Sequence, residues 1–366
     1  SGGQFVRLDA AWQPLYFPRV LSELTNNLKK GAALSLEEVR EAVTEMARED
    51  TDTGAKADFL TALAAKGETP DEIAAFAGEL RKLAIAPELD AETRAREILD
   101  VCGTGGDRLN TFNISTTVAM VAAAAGITVA KHGNRAITSQ SGSADVLEEL
   151  GIPVSLTPEQ AAKSMREQRF AFFYAPQYHP AFKHIAPARK LCAERGQRTI
   201  FNFLGPLMNP ARPSAQLLGV SRPEICEALA QVLKQLGSRR VMVVSGDTGE
   251  GFLDELSSIG ATTVAEYYQD RGFHTSKLEP EHFGFARARL EDLRGGDRKE
   301  NAHTLREILA GRERGPKRDA VLLNSGAALF VAGGAKSLTE GAEAAGELID
   351  SGKALAKLDE LVKYRP

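Results

Sequence analysis

Cysteine is scarce in this chain: 366 residues contain three, Cys102, Cys192 and Cys226. So few thiols, so widely spaced, argue against a disulfide framework or a zinc site and imply a reducing, cytoplasmic setting. Charge of one sign is also lacking. The net charge is −4, with 45 basic and 49 acidic residues interspersed, so neither nucleic acid nor an anionic membrane is expected as the main partner. No apolar run is long enough to span a bilayer, since the longest, 118–130, is broken by Gly126. Ser1-Gly2-Gly3 is not followed by a charged segment leading into an apolar one, so no secretory leader is expected. Internal repeats and low-complexity tracts are missing. So is any convincing Ser/His/Asp or Cys/His arrangement, and no covalent nucleophile or general base is assigned.

What is present fits an enzyme with a sizeable core: 43% of residues are hydrophobic and 26% charged, over a length sufficient for more than one domain. From 16 to 85 apolar residues recur at three and four, which predicts a run of amphipathic helices. Ser35 with Glu38 has capping-box spacing, and Thr69 with Glu72 comes close to it. A charged connector, 87–96, follows. Strand and helix patterns then alternate to the end, with strands expected at 98–102, 127–130, 239–246 and 261–268. The expected fold is α/β: a small N-terminal helical domain, 12–90, and a larger α/β domain, 93–362, around a central, mainly parallel sheet. A cleft between two such parts commonly holds small molecules.

The richest stretch is 100–151. After the first strand come Gly103, Gly105 and Gly106, with Asp107 closing the turn. Glycine lets backbone N–H groups approach an anion, because no Cβ intervenes and φ > 0 is allowed. Thr111, Ser115, Thr116 and Thr117 precede an apolar helical run, where unpaired N–H groups and the helix dipole favour negative charge. The second strand ends on Lys131, His132, Asn134 and Arg135. Ligands collect at such strand ends in open α/β sheets. A lone GTGG is most often only a tight turn; convergence of three anion-friendly segments is what points to phosphate. No G-K-[ST] follows the glycines and no dinucleotide G-x-G-x-x-G is present, so the usual nucleotide motifs are excluded.

These segments, GTGGD at 103–107, TFNIST at 111–116, KHGNR at 131–135 and GSADVLEELG at 142–151, resemble the anthranilate phosphoribosyltransferase family. The likeness extends through KGETPDEIAAF at 66–76, HPAFKHIAPARK at 179–190, RTIFNFLGPLMNPA at 198–211, LDELS at 253–257 and LEDLRGGD at 290–297. It implies transfer of a phosphoribosyl group from phosphoribosyl pyrophosphate to anthranilate in tryptophan biosynthesis, with Mg²⁺ as cofactor and a homodimer formed through the helical domain. It also implies that a helical segment near 187–205 joins that domain.

Residue by residue, the resemblance places Gly103, Gly106, Asp107, Thr111, Asn113, Ile114, Ser115 and Thr116 on phosphoribosyl pyrophosphate. Lys131, His132, Gly133, Asn134, Arg135, Ala136, Ile137, Thr138, Ser139 and Ser143 would close over the same ligand. Gly103, Asn134, His179 and Arg189 would face anthranilate, and Ser115, Asp254 and Glu255 would hold the metal. Without that context, Arg189 reads as a surface cation, His179 as a turn or core histidine, and Asp254-Glu255 as a solvated acidic pair. The chain departs from the family pattern in its longer 191–197 and 245–252 segments and in Thr138 and Gln140. Two other readings stay open here: a nucleoside phosphorylase or transferase with another acceptor, and a non-catalytic relative that binds polyanions.

Overall fold

A computed structural model describes residues 19–136 and 140–366. Four helices come first: Arg19–Lys29, Leu36–Ala47, Thr53–Lys66 and Pro70–Lys82. The second is started by a complete capping box, in which the Ser35 N–H donates to Glu38 Oε2 at 2.8 Å and the Glu38 N–H to Ser35 Oγ at 3.3 Å. Thr69 and Glu72 form another, with Pro70 in the first turn. Asp52 caps the helix between them. Glu72 is fully enclosed and also takes the Leu34 N–H and the Lys66 ammonium, both within hydrogen-bond distance, so the buried charge is paired rather than stranded.

The inward faces of this bundle, including Val43, Met46, Phe59, Leu63 and Phe76, share one apolar cluster with several later segments, two of which also border the site. These two are the helices Phe182–Glu194 and Phe201–Leu207, which bring Ile185, Ala188, Cys192, Leu204 and Leu207 into it. The charged connector is not wholly irregular, for Asp90 caps a short helix, Ala91–Ala95. All three cysteines are free and buried.

Eight strands are present among the described residues: β1 Ile98–Gly103, β2 Thr128–Gly133, β3 Phe170–Tyr174, β4 Ala215–Gly219, β5 Arg240–Asp247, β6 Phe252–Leu253, β7 Thr262–Tyr268 and β8 Gly272–Leu278. Their order is β3-β2-β1-β4-β5-β7-β8, with β6 paired to β5. The first five of that path run parallel, β7 pairs antiparallel with β5, and β8 pairs antiparallel with β7. Continuous apolar runs such as 170–173 and 241–244 suit strands covered on both faces. One face is covered by Ile114–Ala124 and Pro316–Val331, whose side chains join the larger apolar cluster. The strand order reverses between β1 and β4, and at such a switch point the loops separate and leave a crevice.

Several strand ends shift by one residue from the sequence expectation, and two larger differences bear on the site. β2 continues to Gly133 because its pairing with β3 persists through Lys131↔Phe172, His132↔Phe173 and Gly133↔Tyr174. Lys131 and His132 are therefore buried strand residues, not loop residues. The helix after the glycine turn starts at Ile114, so Ser115, Thr116 and Thr117 sit in its first turn rather than ahead of it. No helix among the described residues is long and apolar enough to cross a membrane.

Candidate active site

A cavity of about 510 Å³ opens over the carboxyl ends of β1, β2 and β4, bounded on its far side by the helices Phe182–Glu194 and Phe201–Leu207. Every described residue expected at the site lines it except His179. Ile137, Thr138 and Ser139 lie outside the described residues.

The 103–110 loop is built from left-handed backbone: Gly105 and Gly106 have φ of 69° and 78°, and Arg108 and Asn110 follow at 61° and 53°. One expectation for this loop needs correction. The Gly105 N–H is not free for an anion, because it donates to Asp254 Oδ2 at 2.7 Å.

Asp254 and Glu255 are not a solvated pair. They follow β6 and lie across the ends of β1, β4 and β5, where Gly103, Gly219 and Gly246 leave room for their backbone. A Cβ at Gly219 would run into the Asp254 carbonyl, and one at Gly103 into its carboxyl group. Gly219→Ala is therefore expected to displace Asp254 and cut turnover roughly tenfold or more while the chain still folds, since misplacing a site group by about 1 Å costs far more in rate than in stability. Steady-state kinetics beside a thermal melt would check it; parental turnover would show that the segment yields without consequence.

Electrostatically this acidic corner is loaded. Burial, and then the neighbouring Asp107, push the Asp254 carboxyl up to about 7. Burial and Asp254 hold Glu255 well above the usual carboxylate range. Glu255 Oε1 accepts the Ser115 N–H at 3.1 Å, at the helix N-terminus. Lys131, 1% exposed, is the cation facing these acids: its Nζ donates to the Val101 carbonyl at 2.7 Å and to Ser115 Oγ at 3.3 Å. No group of three or more His, Cys, Asp or Glu among the described residues could hold a metal by itself. The longer 245–252 segment is absorbed by a tight turn, where the Gly249 N–H donates to Asp247 Oδ1 and β6 pairs back onto β5.

On the β2 side, Arg135 lines the cavity, but its guanidinium makes two 2.6 Å hydrogen bonds to Glu148. It braces the loop more than it offers charge to a ligand. Asp145 fixes the same loop by accepting the N–H groups of Ala136 and Gly142, each at 2.9 Å.

Arg189 occupies the opposite wall. Its guanidinium lies 5.1 Å from the Phe201 ring centroid, is partly desolvated, and pairs with no carboxylate among the described residues. A planar cation stacked on an aromatic ring and left unpaired is suited to a planar carboxylate. The longer 191–197 segment ends that helix at Glu194 and carries an exposed turn past it, leaving Arg189 on the cavity wall. Sequence reasoning gave no role to Arg108, Arg198, Phe201, Asn202, Phe203 and Arg222, all of which line the cavity. Arg198, Phe201, Asn202 and Phe203 fall within the RTIFNF motif, the one available signal for them.

His179 stands one layer behind the wall. It is buried, with Nε2 at 3.2 Å from His132 Nε2, and His132 also bonds to the Gly205 backbone. Burial, with mutual repulsion, depresses His132 to about 3, and burial depresses His179 to about 4. The unfolded chain thus takes up protons below about pH 6.5 that the folded chain refuses until about pH 4. Stability present at neutral pH should be lost as pH falls through that window, by on the order of 2 kcal/mol per imidazole between pH 7.5 and 5. Buried Asp100, raised to about 6, acts in the opposite sense. Chemical denaturation of His179→Asn should therefore show a smaller loss of stability between those pH values than the parent does; an unchanged loss would remove the pair from the account.

The comparisons agree with this geometry. Residues 95–355 match the glycosyl transferase family a/b domain, and 22–84 match the helical bundle domain of that family. The anthranilate phosphoribosyltransferase of Methanosarcina acetivorans is 45% identical, over 94% of this chain and 90% of the relative. That of Acetivibrio thermocellus is 46% identical, over 94% and 96%. The crystal structure of the Thermus thermophilus enzyme superimposes with a TM-score of 0.84 at 41% identity, covering 93% of this chain and 98% of that one. A Saccharomyces cerevisiae structure, a complex with phosphoribosyl pyrophosphate and Mg, gives 0.82 at 31% identity, covering 93% and 96%. Full-length likeness at this level, on a fold whose strand ends carry the same motifs, makes this chain a member of the anthranilate phosphoribosyltransferase family.

Proposed function

We propose that the cavity transfers the 5-phosphoribosyl group of phosphoribosyl pyrophosphate to the amino group of anthranilate, releasing pyrophosphate, as a step of tryptophan biosynthesis. The observation that carries this reading is one cavity with two unlike walls: a helix N-terminus bearing Asn113, Ser115 and Thr116 beside an acidic corner on one side, and the ring-stacked Arg189, in no ion pair among the described residues, on the other. The neutral aromatic amine attacks the anomeric carbon as the bond to pyrophosphate breaks, with inversion and oxocarbenium character, and the amine proton passes to solvent. Because an aniline-type nitrogen is unprotonated near pH 7, no strong base is needed. Holding the two ligands in line and stabilising the departing pyrophosphate supply the rate.

Asn113, Ser115 and Thr116 would donate to phosphate oxygens, while Lys131 supports Ser115 from beneath. Arg189 would orient the anthranilate carboxylate, with Asn134 beside it. The donor set at the acidic corner fits Mg²⁺, which favours one or two carboxylates completed by substrate phosphate oxygens over an all-protein cage. Asp254, Glu255 and Ser115 would hold it, and the mutual repulsion of these half-buried acids is what a cation relieves. Bound there, the ion would neutralise charge developing on pyrophosphate. The homodimer expected through the helical domain belongs to this proposal too and is checked by sedimentation of the purified chain.

Release of pyrophosphate on adding anthranilate, phosphoribosyl pyrophosphate and Mg²⁺ is the expected result. Phosphorolysis of a nucleoside in its place would favour the nucleoside phosphorylase reading.

A further inference from the structure

The LEDLRGGD motif, 290–297, plays no part in the site as described, yet it cradles the segment that carries Asn113. Thr111 bridges to Arg294, the Phe112 N–H donates to the Leu293 carbonyl at 3.1 Å, and the Gly295 N–H donates to the Asn110 carbonyl at 2.8 Å. Gly295 has no room for a side chain, since its Cβ would come within 2.7 Å of Phe112 Cα. Asp297 then caps the helix Arg298–Leu309, which presents the buried Asn301 to the underside of the same segment.

Asn301 begins a relay with one possible direction. Its Oδ1 accepts the Gly296 N–H at 2.9 Å, and its Nδ2 donates both to the Gly296 carbonyl at 3.2 Å and to Asn113 Oδ1 at 3.0 Å. Asn113 must then turn its own Nδ2 outward, where it donates to the Ser141 carbonyl at 3.3 Å. The relay ends on a backbone N–H at Gly296 and a backbone C=O at Ser141, each able to play a single role, so the amide orientations between them are determined. Asn113 lines the cavity, whereas Asn301 does not.

We propose that Asn301 is a positioning residue, holding Asn113 with its amide N–H groups toward the phosphate side of the cavity and toward the 140–142 loop. The inference rests on the reading of Asn113 as a phosphate donor. A flipped Asn113 would instead turn a carbonyl oxygen toward the phosphates and toward Ser141.

Asn301→Asp tests this with little change of shape. The carboxylate keeps an acceptor for the Gly296 N–H but has no donor for Asn113 or for the Gly296 carbonyl, and it attracts the Asn113 NH₂ instead; the loss at Gly296 is common to the parental and Asn113→Ala backgrounds. The KM for phosphoribosyl pyrophosphate should rise roughly tenfold or more, as expected when a hydrogen bond to a charged ligand is lost, while the KM for anthranilate stays near parental. In an Asn113→Ala background the same substitution should change that KM by less than about twofold, because the group it acts through is gone.

Equal effects in the two backgrounds would overturn the proposal by pointing to a charge or packing effect alone, as would an equal rise in both KM values. If Asn113→Ala raises the KM for phosphoribosyl pyrophosphate and Asn301→Asp does not, the positioning role fails while the site reading stands. If Asn113→Ala changes nothing, the phosphate role of Asn113 fails and the positioning role with it.

Discussion

Asp254→Asn combined with Glu255→Gln should yield a folded chain with a higher melting temperature and turnover reduced roughly a hundredfold or more, the scale on which loss of electrostatic stabilisation of developing charge is felt. The two effects have one cause. Asp254 and Glu255 are half-buried on the cavity wall beside Asp107, so partial burial and mutual repulsion disfavour their charged forms, and neutral amides of the same shape relieve that strain. The amides still accept the Gly105 and Ser115 N–H groups that hold the segment in place. What they lose is affinity for a divalent cation. Turnover across a magnesium titration, read beside a thermal melt, separates these effects; parental activity at every magnesium concentration would mean that the acidic corner serves the fold and not the reaction.

Arg189→Ala should raise the KM for anthranilate roughly thirty- to a hundredfold and leave that for phosphoribosyl pyrophosphate almost unchanged. One charge-assisted fork to one ligand is removed, a loss on the order of 2 to 3 kcal/mol. The fold should tolerate the change, since Arg189 makes no ion pair among the described residues and its main contact is the Phe201 ring. Varying each substrate in turn would distinguish the outcomes. An equal effect on both would assign Arg189 to closure of the two walls, and no effect would place the acceptor elsewhere.

The α/β architecture and the 103–116 and 131–136 segments that line the cavity are legible in the sequence because their signals are local. Capping boxes at Ser35 and Thr69, the glycine turn after β1 and the mostly apolar strand at 98–102 each declare themselves within a few residues. Less legible were features created by contacts between distant segments. The second strand was read too short because Lys131 and His132 look like loop residues until β3 pairs with them and a buried carbonyl and serine take up the ammonium. His179 was expected at the wall, yet its packing against His132 sets it one layer back. The space that Gly219 leaves for Asp254, and the relay from Asn301 to Asn113, join residues far apart in the chain and have no short-range signature. Arg135 shows the converse: a cation in an anion-directed motif that its neighbours, Glu148 above all, have already claimed.

The most direct measurement follows the fluorescence of anthranilate as the purified chain is mixed with phosphoribosyl pyrophosphate and Mg²⁺. A cavity that holds a phosphate-directed wall opposite Arg189 should consume anthranilate only when all three are present, and should stop when phosphoribosyl pyrophosphate or the metal is withheld. Undiminished anthranilate fluorescence with the complete mixture, from a chain shown to be folded, would contradict the account.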